Sequence, residues 1–256
     1  MKKSCEACKS GDTNSFDIEM AFQPIIDLHK FEIMGYEALV RGINGEGAPQ
    51  ILKQVSSDEL YAFDQRCRTK AIETASELKL CQFLSINFMP NAVYEPARCI
   101  QTTLEAAKKH NFPLDLLVFE FTEHEEIIDI QHISDIVSDY QQRGFLTAID
   151  DFGSGYSGLN LLSQVKVDIV KIDRKLIIGI DQDPRRIRMM RGVHSMLSPI
   201  VSKIVVEGIE TINELKCMYS LGFRYFQGLY FAKPEFKALP TVDLGVVKEQ
   251  LGEKRS

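Results

Sequence analysis

The sequence predicts an α/β fold, a TIM-like (β/α)8 barrel with one reversed strand near the N-terminus. Three features predict it. Seven β-branched or aromatic runs each end in a polar side chain of chemical interest. When parallel strands close into a barrel, such ends converge on one mouth, where active sites of that architecture sit. Strand-like and helix-like segments then alternate along the chain. The first two strand-like segments, however, are joined by a short turn, so one strand must run against the rest. The length of 256 residues suits a barrel, which typically takes about 250.

Taken in order, residues 1–19 are polar and read as an N-terminal leader, and residues 20–256 as a single barrel domain. The leader holds Cys5-Glu6-Ala7-Cys8. Zinc normally needs four ligands, and no second pair at this spacing follows. An unstructured leader and half of a shared metal site both remain open. Residues 21–27 and 31–39 read as strands, turned at Leu28-His29-Lys30. A helix is expected over 62–80, with Ala71, Ile72, Ala75 and Leu78 on one side. A strand over 83–88 and a helix over 95–110 follow. Next come a strand over 116–121, a helix over 127–142 closed by Gly144, and a strand over 145–149.

Residues 151–158 form a glycine-rich loop, followed by a helical turn over 158–164 and a strand over 167–172. Asp183-Pro184 is a good N-cap and first-turn pair for a helix over 184–197. A strand over 203–206 precedes a helix over 211–221. There Thr211 and Glu214 have capping-box spacing, and Gly222 ends the helix. The last strand is placed at 225–229 and a terminal helix at 242–251.

The polar residues at the strand ends are Glu37, Asn87, Glu120, Asp150, Lys171, Glu207 and Gln227. Any one acid at a strand end reads as solvated. Together at one mouth with two amides and a lysine, the four carboxylates would repel one another unless neutralised. Divalent cations with oxygen ligands are the simplest remedy. A metal-dependent barrel enzyme follows from the chain itself.

Composition narrows the partners. The formal net charge is −6 and no dense basic run occurs, which disfavours polymeric nucleic acid. The nearest, Arg185-Arg186-Ile187-Arg188 with Arg191, reads as a solvated helix face. A small anionic substrate stays open. No run of about 18 apolar residues exists, so no membrane span is expected. No apolar segment follows Met1-Lys2-Lys3, so a secretory signal is not expected and the cytoplasm is. The six cysteines then read as free thiols.

Eight segments, in order, resemble the EAL-domain phosphodiesterases of bacterial cyclic di-GMP signalling. They are Phe22-Gln23-Pro24-Ile25, Glu37-Ala38-Leu39, Ser85-Ile86-Asn87, Glu120-Phe121-Thr122-Glu123, Asp150-Asp151-Phe152-Gly153, Lys171-Ile172-Asp173, Glu207-Gly208-Ile209-Glu210-Thr211, and the stretch from Gln227 to Pro234. The resemblance runs from about Ala21 to Pro234. It implies a stand-alone, cytoplasmic enzyme that opens cyclic di-GMP to linear pGpG with two Mg²⁺ or Mn²⁺ ions per site. Glu37, Asn87, Glu120 and Asp150 would hold one ion. Asp150, Asp151 and Glu207 would hold the second.

By the same resemblance, Glu37, Lys171, Glu207 and Gln227 are catalytic. Gln23, Leu39, Arg41, Asn87, Asp151 and Pro234 contact the dinucleotide. Glu123 supports the loop after Asp151, and the protein pairs as a homodimer. Phe121, Ser154 and Gly158 depart from residues common in the family, and none is a ligand. Some relatives have lost ligands and act as receptors or interaction modules; here the ligand set is complete. A glycoside hydrolase with paired carboxylates is a third reading. The absence of Trp and the presence of Lys171 argue against it.

Overall fold

The computed structural model describes residues 16–93, 95–122, 129–155 and 158–253. β1 (Ile18–Asp27) and β2 (Glu32–Gly42) form the antiparallel hairpin read from the sequence. β3 (Phe83–Asn87), β4 (Leu117–Thr122), β5 (Leu146–Phe152), β6 (Ile169–Ile172), β7 (Lys203–Val206) and β8 (Tyr225–Phe226) continue from β2, each parallel to its predecessor. β8 meets β1 through Ile26–Phe226 and Asp27–Tyr225, in antiparallel sense. Eight strands therefore close into a barrel in which β1 alone is reversed. A ninth strand, β9 (Glu235–Phe236), pairs with Ala21 and Phe22 outside the ring.

Strand alternation explains how the barrel is filled. Residues two apart share a face of a strand. Val118, Ala148, Ile169 and Val205 pack with Ile25 and Met34 in an apolar plug. Two residues further along the same faces stand Glu120, Asp150, Lys171 and Glu207. Each of these strands thus gives one apolar residue to the base and one ionisable residue to the mouth. The intervening residues, such as Phe119, Phe121, Val170 and Ile172, belong to the larger core between barrel and helices.

The helix Leu60–Glu77 is anchored by a buried polar set. Arg68 pairs with Asp64 at 2.5 Å and donates to the Tyr140 hydroxyl at 2.8 Å. Asp64 accepts the backbone N–H of Met89 at 2.9 Å, which ties down the segment leaving β3 just after Asn87. The Arg68 guanidinium also lies over the rings of Phe88 and Phe119, the contact that suits a buried guanidinium.

The differences from expectation lie at element ends. The helix over 95–110 is two pieces, Pro96–Cys99 and Gln101–His110, separated at Ile100. The strand over 225–229 ends at Phe226: the Gln227 N–H donates to the Val206 carbonyl, its carbonyl accepts from Ile209, and the Gly228 carbonyl accepts from Phe231 and Ala232 in a turn. Short helices at Ala48–Leu52 and Arg174–Ile177, together with β9, carry too little periodicity to read from sequence. The helix Pro184–Leu197 and strand β7 stand where the sequence puts them. Asp183 accepts the N–H groups of Arg185 and Arg186, and Thr211 with Glu214 forms the capping box. No helix among the described residues is long and apolar enough to cross a membrane. Most of the polar leader, residues 1–15, lies outside the described residues, including Cys5 and Cys8.

Gly35 lets β2 approach β3 closely. A Cβ there would stand 2.5 Å from the Phe83 carbonyl oxygen and 2.7 Å from the Phe83 Cβ. Gly35→Val should lower stability by about 1–3 kcal/mol, and it should disturb the register two residues before Glu37. Urea denaturation monitored by circular dichroism reads the loss; an unchanged midpoint would contradict it.

Candidate metal centre and active site

The mouth is organised around one buried ammonium. Lys171 Nζ lies 2.8 Å from Glu120, 2.8 Å from Glu207, 3.1 Å from Asp150 and 3.2 Å from Glu37. These five side chains come from β2, β4, β5, β6 and the end of β7. An ammonium has three protons and one charge; four carboxylates face it. Lys171 donates hydrogen bonds to Glu37 and Glu120. Asp150 Oδ1 is buried and, among the described residues, accepts no hydrogen bond. The cluster is short of positive charge, and the charged contact of that oxygen is the ammonium it shares with three other carboxylates.

Amides and hydroxyls hold the carboxylates in place. Glu37 accepts from the Asn87 carboxamide at 2.9 Å through Oε1 and from Gln227 at 2.8 Å through Oε2. Gln227 also donates to Gln23 at 3.2 Å, and Gln23 donates to the Ala232 carbonyl at 3.1 Å. The Ser85 hydroxyl donates to Glu120, and Thr122 donates to Asp151 at 3.2 Å. Ser85, Thr122 and the Ala232 carbonyl escape a reading that stops at acids and strand ends. Alternation held the signal for the first two: Ser85 shares a face with Asn87, and Thr122 with Glu120.

Two adjacent aspartates reach one site because β5 bulges. Ile149 pairs with Val170 and Phe152 with Ile172, so β5 advances three residues while β6 advances two. Asp151 takes φ +56° within that irregularity. Bulges re-aim side chains beside functional sites. Here the result is two triads, Glu37–Glu120–Asp150 and Asp150–Asp151–Glu207, whose oxygens within each triad lie no more than 4.8 Å apart. Asp150 belongs to both. An all-oxygen donor set with a shared carboxylate and more negative charge than one ammonium offsets fits hard divalent cations.

Electrostatics follow from burial. The Glu120 carboxyl is pushed up to about 8, chiefly by burial and further by Glu37 and Asp150, against the pull of Lys171. Burial, with Asp150 beside it, also raises Glu207 well above the usual carboxylate range. Burial pulls Lys171 down, but Asp150, Glu120, Glu207 and Glu37 together outweigh it and hold the ammonium charged.

Of the other residues singled out in the sequence, Leu39, Arg41 and Pro234 are half-buried on segments flanking the mouth. The Arg41 guanidinium donates to the Val40 carbonyl at 2.8 Å. Leu39 and Asn87 border an apolar cavity of about 280 Å³ between the barrel wall and helix Leu60–Glu77. Glu123 lies outside the described residues.

Comparison with known proteins gives a consistent picture. A family model described as the EAL domain matches residues 11–234. Among solved structures, a standalone versatile EAL protein from Vibrio cholerae O395, in its c-di-GMP-bound form, superposes with a TM-score of 0.87. It is 49% identical and covers 90% of this chain and 98% of its own. A manganese/cy-diGMP complex of Klebsiella pneumoniae BlrP1 gives a TM-score of 0.82 at 27% identity, over 88% of this chain and 57% of that one. The blue light- and temperature-regulated antirepressor BluF of Escherichia coli K12 is 26% identical over 94% of this chain. The probable cyclic di-GMP phosphodiesterase PdeG of the same organism is 27% identical over 86% of it. The chain spans 59% and 45% of the length of these two curated relatives.

Lys171→Met keeps most of the stem volume and removes the ammonium that faces four carboxylates. Breaking a buried ionic set in this way costs about 3–5 kcal/mol. The variant should melt well below the wild type in chelator and recover part of the difference in millimolar Mg²⁺ or Mn²⁺. Equal melting temperatures in chelator would show that the carboxylates do not depend on Lys171.

Proposed function

The chain belongs to the EAL domain family, and from that premise we propose that it is a metal-dependent phosphodiesterase opening cyclic di-GMP to linear pGpG. The observation that carries the reading is the pair of carboxylate triads sharing Asp150, set around Lys171. Glu37, Asn87, Glu120 and Asp150 would hold one Mg²⁺ or Mn²⁺, and Asp150, Asp151 and Glu207 a second. When bound, such a pair offsets the carboxylate charge, polarises the phosphodiester and lowers the pKa of an attacking water.

The protein's own groups do the rest. Glu207 stands 2.8 Å from the Lys171 ammonium and accepts the proton as the water oxygen adds to phosphorus; one P–O ester bond breaks and the departing ribose oxygen takes a proton from solvent. Lys171 stays charged and offsets the negative charge gathering on the phosphoryl oxygens. Gln227, fixed between Gln23 and Glu37, orients water and substrate. Gln23, Leu39, Arg41, Asn87, Asp151 and Pro234 form the rim that takes the dinucleotide, and Arg41 pairs with a phosphate. Glu123 steadies the loop beyond Asp151, and the working form is a cytoplasmic homodimer.

Chromatography of cyclic di-GMP incubated with the protein tests the reading. With Mn²⁺ or Mg²⁺ the substrate should convert to pGpG; with EDTA, or in Glu37→Ala, turnover should fall by about 10³-fold or more. Binding without conversion under every metal would replace the enzyme with a receptor.

Protons compete with cations at this site. With Glu120 near 8 and Glu207 raised, the carboxyls hold protons that a cation must displace. Apparent metal affinity should therefore rise with pH from about 6 to 8, by about tenfold per unit for each proton released, and flatten above. Calorimetric titrations of Mn²⁺ in buffers of differing ionisation heat read both the slope and the proton count. A flat profile would mean that the carboxyls are already ionised.

A further inference from the structure

At the opposite end of the barrel from the carboxylates lies a second polar pocket, and we propose that it binds a phosphate-class oxyanion. Its cavity of about 150 Å³ is bordered by Lys203, Arg224, His29, His194, Ser198 and Ser202, with no carboxylate on its wall. That is notable in a chain of net charge −6. Lys203 opens β7 and shares a face with Val205, so its stem enters the base of the barrel. Its ammonium lies 5.8 Å from the Phe83 ring centre and 5.9 Å from that of Tyr225. Among the described residues it forms no ion pair with a carboxylate.

Arg224, on the same wall, is held in a fixed pose. Its guanidinium stacks 4.0 Å over Tyr219, and Nη1 donates to the carbonyls of Tyr219 and Phe223. Among the described residues, Arg224 likewise has no acidic partner. Two acids close to this wall, Asp27 two residues before His29 and Asp168 whose carbonyl accepts from Ser202, have hydrogen-bond donors of their own. Asp27 accepts the N–H groups of His29 and Lys30. Asp168 accepts the Thr147 N–H and hydroxyl and the Gln141 carboxamide. The two imidazoles are braced on aromatic rings, His29 on Tyr225 and His194 on Phe223.

Two cations with no carboxylate in ion-pair contact among the described residues, on one wall with imidazoles and an exposed serine hydroxyl at Ser198, make up the donor set of an oxyanion site. Size selects the class. A water takes about 30 Å³, so the cavity holds one phosphoryl group with little solvent. Pockets that engulf drug-sized ligands run to about 300–1,000 Å³, which excludes a whole cyclic dinucleotide here. The ligand is inorganic phosphate or the terminal phosphate of a mononucleotide.

The test is a ³¹P NMR titration of inorganic phosphate, and separately of GMP, against the full chain. Chelator is kept present so that the acidic mouth cannot hold phosphate through ions. Saturable binding is expected, weakened about tenfold or more, or 1.4 kcal/mol or more, by Lys203→Met. Ser198→Glu places a carboxylate at the exposed rim, away from the core, and should weaken binding equally even if Lys203→Met folds poorly. Tighter binding of GMP than of phosphate assigns the site to nucleotides, and the reverse order to the free ion. Absence of saturable binding, or affinity unchanged by Ser198→Glu, would overturn the proposal.

Discussion

A single ammonium facing four carboxylates sets the terms for the rest of this molecule. Lys171 is fully buried, and so nearly are Glu37 and Glu120. A buried charge is tolerated only when paired and hydrogen-bonded. Lys171 meets that condition by drawing side chains from five strands to one point, so the barrel must close accurately for its own interior to be stable. The same arrangement leaves an excess of negative charge, since Glu37, Glu120, Asp150 and Glu207 share one ammonium. One lysine is enough to let the apo barrel fold around the acids and too little to neutralise them. Affinity for cations is a consequence of that imbalance.

The reversed first strand contributes to the site as well as to closure. Because β1 runs against its neighbours, Gln23 pairs in register with Glu37 at the mouth. Its carboxamide joins Gln227 on one side and the Ala232 carbonyl on the other. The chain from Gln227 to Pro234 is thereby stitched across the top of the barrel. The buried Asp64–Arg68 pair acts similarly from the helix layer, through Met89, on the strand end that carries Asn87. Rigid elements, rather than free loops, set the positions of the groups that matter, as precise sites require.

Much of this was legible in the chain. The polar ends of the β-branched and aromatic runs placed Glu120, Asp150, Lys171 and Glu207 at one mouth without any coordinates. Turn chemistry at Leu28-His29-Lys30 announced the hairpin, and Asp183-Pro184 and Thr211 with Glu214 marked two helix starts where they occur. Less legible were the break at Ile100, the early end of β8 and the existence of β9. The last two depend on hydrogen bonds to residues far along the chain, such as Gln227 to Val206 and Lys237 to Met20, which local propensity does not register.

What the sequence by itself determined is the inventory: the strand ends, their polar residues, and the charge imbalance that calls for cations. What only the tertiary structure decided is how that inventory divides. A period-two reading sends Asp150 and Asp151 to opposite faces of β5. The bulge against β6 brings both to the mouth and makes Asp150 common to two triads. Register against a neighbouring strand is a property of closure, so no local reading of the chain contains it. The same holds at the barrel base, where Lys203, Arg224 and His29 are far apart in sequence. They meet only because β1, β7 and β8 close side by side.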